Sequence, residues 1–263
     1  MVASKRALTL GAAALCCASA LFAAACGGGS STGTIPNNPP PTATPPAPSP
    51  TPSISAGADT IVTSQGAIIG LDDQFTPADG DTANPSAGHG QPVDGITCDT
   101  TMSGNYHIHV YLGIYVNGTR YAMPDTVGML NPVAEPAGGF TDGAQCFYWV
   151  HTHDASGIVH VETPNAGGAP VTASIMNLKN VLDVWGIAAN TTHVGQFSGP
   201  VAVFTSGQVY RGSSNNGLVS STMYTQYNGD LNTIPLFSHE VIWLLVGPTF
   251  PASLPNVMFY PQF

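Results

Sequence analysis

Three histidines, one aspartate and one glutamate fall within the seventeen residues Cys146–Glu162, CFYWVHTHDASGIVHVE. A second histidine pair, His107 and His109, lies in Tyr106–Val116, YHIHVYLGIYV. Successive side chains of a strand point to opposite faces, so a His-x-His pair puts both imidazoles on one face, as chelation requires. Neutral imidazole is a common protein ligand for zinc, copper, nickel and non-haem iron. A carboxylate nearby completes the shell or orients a ring through its second nitrogen. These rules nominate His107, His109, His151, His153, His160 and Glu162 as ligands, with Asp154, His239 and Glu240 as supporting groups. Each buried imidazole also needs hydrogen-bond partners, so two pairs plus His160 exceed what a purely structural core tolerates. The rival reading is a polar, hydrogen-bonded face or a pH-sensitive histidine set.

The elements that must position these groups are hairpins. Tyr106–Val116 is rich in β-branched and aromatic residues and ends at Asn117-Gly118, a dipeptide suited to a two-residue hairpin turn, with Thr119–Met123 returning. Alternation puts His107, His109 and Tyr111 on one face and Ile108, Val110 and Leu112 on the other. Cys146–Val150 is a second strand running on through His153; Asp154–Gly157 supplies its turn, and Ile158–Glu162 returns. That turn sets His151 opposite His160 and His153 opposite Ile158, with His151, His153, His160 and Glu162 on one face. Ser174–Gly186 has Leu178, Val181, Leu182 and Trp185 at helical spacing, Ser174 as a candidate cap and Gly186 as the stop. Thr60–Gly70 reads as a short β element broken at Gly66, and Val201–Phe204 with Val209–Arg211 as a further hairpin. Ile234–Gly247, which carries His239 and Glu240, suits a buried strand or a short helix equally, and the tail beyond it reads as Pro-rich coil. His89, between two glycines, reads as solvent-exposed. The expected fold is mainly β (α+β): a β-hairpin-rich single domain with one packed helix at about 174–186.

Sharper motifs do not fit. A blue-copper loop needs Met close behind Cys and His, and after Cys146 and His151 the next methionine is Met176. A His-x-His-x-Asp-His hydrolase motif fails because Asp154 comes one residue early and Ser156 stands where a histidine is needed. One clear helix excludes a (β/α)₈ amidohydrolase. No nucleophile elbow, P-loop or dinucleotide fingerprint is present.

Residues 1–25 carry Lys5 and Arg6 and then an Ala-rich apolar run, the pattern of a secretory signal. Cys26 follows Ala23-Ala24-Ala25, which suits cleavage before Cys26 and lipid on its sulfur; ordinary secretion after an Ala-x-Ala site is the alternative. Residues 26–57 are a Gly/Ser- and then Pro-rich linker, extended and semi-rigid, and 58–263 form the globular domain. Removing the signal leaves three basic residues against fifteen acidic, a formal charge of −12. So acidic a chain lacks the Lys and Arg that nucleic acid requires, while it is compatible with attracting cations. With Cys26 lipidated, Cys98 and Cys146 remain, and in an exported protein such a pair is most simply a disulfide, with thiolate ligation as the rival. The expected location is a bacterial membrane, reached through the N-terminal lipid, with the domain periplasmic or on the cell surface.

Val93–Cys98, His107-Ile108-His109, the Asn117-Gly118 turn, the Cys146–Glu162 block and Asp183-Val184-Trp185-Gly186 together resemble a family of exported bacterial and archaeal proteins. Many of its members look like lipoproteins, and no activity is established for the family. The resemblance spans roughly Val93 to Gly247, its most specific part being His151-Thr152-His153-Asp154. It implies that the cysteine pair and the histidines belong to one module. The residues support a membrane-tethered extracytoplasmic module binding Cu or Zn first, a metal-dependent hydrolase or oxygenase second, and a metal-free structural or adhesion domain third. The third requires the imidazoles to diverge in the fold.

Overall fold

The computed structural model describes residues 55–71, 87–104, 106–133, 139–164, 176–207 and 217–259, with side chains from Asp59 onward. The signal, Cys26, the linker up to residue 54, Ser174 and the Val209–Arg211 return lie outside the described residues. The strands are β1 (Ser55–Thr63), β2 (Cys98–Asp99), β3 (Tyr106–Val116), β4 (Thr119–Tyr121), β5 (Met129–Leu130), β6 (Cys146–Tyr148), β7 (Val150–His151) and β8 (Ile158–Thr163). After the helix α1 (Leu178–Trp185) come β9 (Ala189–Asn190), β10 (His193–Val194), β11 (Phe197–Ser198), β12 (Val201–Thr205), β13 (Leu218–Val219), β14 (Thr225–Tyr227), β15 (Val241–Val246) and β16 (Ser253–Phe259). The fold is mainly β with one α-helix among the described residues.

A seven-stranded sheet organises the domain in the order β14-β12-β15-β3-β8-β7, with β4 folded back onto β3. β3 and β15 run parallel, Tyr111 beside Val241 through Val116 beside Val246, and the other pairings are antiparallel. Asn117 and Gly118 turn the β3–β4 hairpin at φ 51° and 79°, as that dipeptide requires. One face of the sheet is apolar along its length. Ile108, Val110, Leu112 and Ile114 of β3 join Val159 and Val161 of β8 and Ile242 and Leu244 of β15 in a core closed by α1. The other face is divided. Tyr111, Tyr115, Ile158, Trp243 and Leu245 pack against a small sheet ordered β1-β16-β13, through Ile61, Val219, Val257 and Phe259. A Cβ on Gly113 would run into the Trp243 ring, so only glycine lets the indole lie on β3.

Leu178, Val181, Leu182 and Trp185 are all buried in the first core, as their spacing requires. The helix is shorter than 174–186. It begins at Leu178, where Asn177 accepts from the Asn180 amide while the Asn180 side chain accepts from the Asn177 amide. This reciprocal cap satisfies two amide donors and fixes the start. Gly186 ends the helix in the left-handed region, at φ 86°.

The ends of the domain differ from expectation. β1 begins at Ser55, inside the stretch read as linker, and runs to Thr63. The Pro-rich tail is not coil: Ser253–Phe259 forms β16, parallel to β1. Pro255 is tolerated because the register slips between Ala56 and Thr60, next to its position, and its missing N–H falls at that irregularity. The ambiguous Ile234–Gly247 run contains a strand, β15, buried throughout.

Cys98 and Cys146 form a disulfide with Cα atoms 5.3 Å apart, joining β2 to β6 across 48 residues. A closed loop of that length stabilises by about 2–4 kcal/mol, chiefly by restricting the unfolded chain. The bond belongs to a protein that matures outside the reducing cytoplasm. No helix among the described residues is long and apolar enough to cross a membrane.

Candidate metal centre

The undivided face explains the divided one. On the divided face, the row beyond Tyr111 and Ile158 is His109 on β3, His160 on β8 and His151 on β7; the next pair is His107 beside Glu162. Register alone therefore carries histidine across three adjacent strands. The pairing of His151 with His160 is the one the Asp154–Gly157 turn predicts. His153 does not pair with Ile158, because β7 ends at His151, before it. Its carbonyl instead accepts from the Thr141 amide (2.8 Å), and its ring Nδ1–H donates to the Thr141 carbonyl (2.6 Å). Between the two histidines, the Thr152 hydroxyl donates to the Pro124 carbonyl (2.9 Å) and accepts from the Val127 amide (3.0 Å), which anchors the His-Thr-His segment.

The rings converge. His160 has its centroid 4.4 Å from His109, 4.4 Å from His153, 5.3 Å from His107 and 5.5 Å from His151. Glu162 Oε1 lies 3.0 Å from His107 Nε2, 3.5 Å from His160 Nδ1 and 3.9 Å from His151 Nε2. Two sets of donors fall within 4.8 Å of one another: His151, His153, His160 and Glu162; and His107, His109 and His160. All are buried except His107. The condition for a metal-free adhesion surface, diverging imidazoles, is not met.

Two backbone carbonyls set the ligand atoms. His151 Nδ1 is 2.8 Å from the Tyr148 carbonyl. A carbonyl can only accept, so the proton sits on Nδ1 and the Nε2 lone pair is free to ligate. That Nε2 is buried and has no hydrogen-bond partner. The bond from His153 to Thr141 fixes the same tautomer there. Leaving such a nitrogen dry and unpaired costs about 1–3 kcal/mol, which a cation in the cluster would recover.

Electrostatics agree. Burial pushes His151 and His160 well below the usual imidazole range, and neighbouring imidazoles push further; burial also lowers His107 and His153. Burial, with Asp142 adding to it, raises Glu162 to about 7. Without a cation the cluster is thus held close to neutrality: uncharged imidazoles, His107 and His160 hydrogen-bonded to each other at 3.2 Å, beside a carboxyl group reluctant to ionise. A divalent ion exploits the first tendency and reverses the second, because it binds the neutral imidazole and the ionised carboxylate.

None of the three supporting candidates is among the converging donors, although the Asp154 charge acts on His153 as that of Asp142 does. Asp154 caps its own turn, accepting from the Ser156 amide (3.0 Å) and from the Gly66 amide (2.7 Å). Glu240 is buried, accepting from the Thr205 hydroxyl (2.5 Å) and the Phe237 amide (3.1 Å); burial raises it to about 7. The His239 ring contacts the Ser238 hydroxyl at 3.0 Å and meets Phe259 at 5.0 Å, on the small sheet's side. Its backbone amide donates to the His109 carbonyl (2.7 Å). His89 is exposed. Conversely, the 139–143 loop adds groups that sequence reasoning passed over: Phe140, stacked on His153 at 4.4 Å and 11°; the Thr141 carbonyl; and Asp142, whose charge acts on both Glu162 and His153. A lone aromatic beside an acid in a Gly-flanked loop was the only signal. Comparison with protein-family profiles, curated proteins and solved structures found no match.

Proposed function

We propose that this protein is a lipid-anchored, extracytoplasmic metal-binding module that takes Cu(II) or Zn(II) through His151, His153, His160 and Glu162, assisted by His107 and His109. The observation that carries the reading is the buried Nε2 of His151, which makes no hydrogen bond and lies in a cluster of neutral imidazoles, those of His151 and His153 with their tautomers fixed from behind. A site rich in nitrogen and oxygen donors suits Cu(II) or Zn(II), and with both cysteines of the domain tied in a disulfide no thiolate remains to favour Cu(I). The signal, Cys26 and the linker supply the tether, in keeping with the exported lipoproteins that the chain resembles. Elemental analysis of the purified protein after loading with Zn(II) or Cu(II) and desalting tests the reading. Bound metal that disappears in His151→Ala supports it; absence of metal from the wild type, with no effect of His151→Ala on uptake, sinks it.

One observation favours a second reading, a metal-dependent hydrolase or oxygenase. Glu162, raised to about 7, contacts the half-exposed His107, an arrangement suited to moving a proton at an open coordination position.

A further inference from the structure

The cluster holds more donors than one ion uses. Four ligands saturate a structural zinc site, and three plus water a catalytic one; here five imidazoles and a carboxylate meet. Their arrangement is not a single ring of donors. β8 lies between β3 and β7. One His-x-His pair therefore approaches His160 from each side, with centroids 4.4 Å apart within the β3 pair and 4.9 Å within the β7 pair. His160 is the one histidine common to both compact donor sets.

Bond lengths support the division. Two nitrogens each about 2.0–2.1 Å from one tetrahedral ion lie about 3.3 Å apart. His160 Nδ1 and His107 Nε2, hydrogen-bonded at 3.2 Å, already stand at the separation of two ligands on one ion, which would take the place of the shared proton. An imidazole has a nitrogen on either flank of its ring, so one ring can serve two ions.

We propose that the cluster is a two-ion site: one divalent ion bound by His151 and His153, a second by His107 and His109, with His160 and the Glu162 carboxylate, 3.0 Å from His107 Nε2 and 3.9 Å from His151 Nε2, shared between them. This rests on the metal-binding reading above and specifies its stoichiometry. Filling both sites uses both nitrogens of His160, and its N–H proton is released to solvent. The two ions are unequal. The His151 side chain is 0% exposed and that of His107 40%. The β7-side ion is enclosed and held tightly, whereas the β3-side ion keeps positions open to water, exchanges first and is the one a substrate or acceptor would reach.

The test is stoichiometric. The full chain, purified in detergent, is loaded with Zn(II) or Cu(II), desalted and analysed for metal per chain, with far-UV circular dichroism confirming that each variant is folded. The expected result is two ions for the wild type and one for His107→Ala, whose exposed position makes folding safe, with His107→Gln as the shape-preserving control. In the Cu(II) form the paramagnetic resonance intensity should fall short of total copper, because the two ions couple through the His160 ring. A single ion in the wild type, unchanged in His107→Ala, would overturn the two-ion proposal and leave the metal-binding reading standing. Two ions with full, uncoupled intensity would overturn the sharing of His160. No bound metal would overturn both the proposal and the reading beneath it.

Discussion

The same face of the same strands carries two opposite chemistries. At one end, Tyr111, Ile158, Val241 and Trp243 form a dry core under the small β1-β16-β13 sheet. One residue pair further along β3 and β8, His109 and His160 begin a cluster capped by a loop carrying Phe140, Thr141 and Asp142. Strand geometry does not distinguish the ends. What lies above them does: apolar side chains of a second sheet gain by excluding water, whereas buried imidazole nitrogens need a proton or a cation shared between them. The seam is the start of β15. There the His239 amide donates to the His109 carbonyl, and the Tyr111 amide to the Glu240 carbonyl, so one short segment pins both ends to the same backbone.

Four experiments sharpen or break this contrast. The largest effect falls at the dry end. Trp243→Ala should lower unfolding free energy by about 3–5 kcal/mol in urea titrations, metal present or absent, without changing metal per chain. A lost metal count in folded Trp243→Ala would show that the two ends are not separable. Next is the metal itself. At a thousandfold excess over its dissociation constant, a bound ion should raise stability by about 4 kcal/mol. Chelation should abolish that increment, as should His151→Ala.

The seam supplies a pH test. Below pH 4.5 Glu240 is protonated in both states; between 4.5 and about 7 the unfolded chain ionises freely while the buried group does not, so stability falls as pH rises and levels off above 7. A rise from 4.5 to about 7 corresponds to roughly 3 kcal/mol. Glu240→Gln should remove its share of that decline and leave the share that Glu162, also raised to about 7, contributes in the metal-free protein. The metal-free imidazoles work in the opposite sense: with His151 and His160 lowered when folded, the unfolded chain takes up protons as pH drops below 6.5, so stability is lost in acid. Measuring urea midpoints from pH 5 to 8 in wild type and Glu240→Gln separates the two. The smallest effect is His107→Ala in the metal-free protein. Its ring contacts Glu162 and His160 but is 40% exposed, so the loss should stay at about 1 kcal/mol while the metal count changes by a whole ion.

Much of this was legible in local pattern. The extent of β3, its Asn117-Gly118 turn, the His151–His160 pairing and the apolar stripe of α1 all follow from alternation, turn chemistry and helical spacing, which act over a few residues. The helix start was not legible, because the Asn177–Asn180 cap competes with a plausible Ser174 and the choice depends on packing. Nor was β16: proline argues against a strand until a partner supplies the irregularity that absorbs it.

By itself, the sequence determined which side chains share a face, since parity along a strand is a local property, and hence that His107 goes with His109 and His151 with His160. Only the tertiary structure decided that these two sets meet. β3 and β8 pair across some fifty residues of chain in a register that sets His109 against His160 and His107 against Glu162. Long-range strand pairing is fixed by burial of the opposite, apolar face against α1, and a shift of one residue would have turned every imidazole into that core instead.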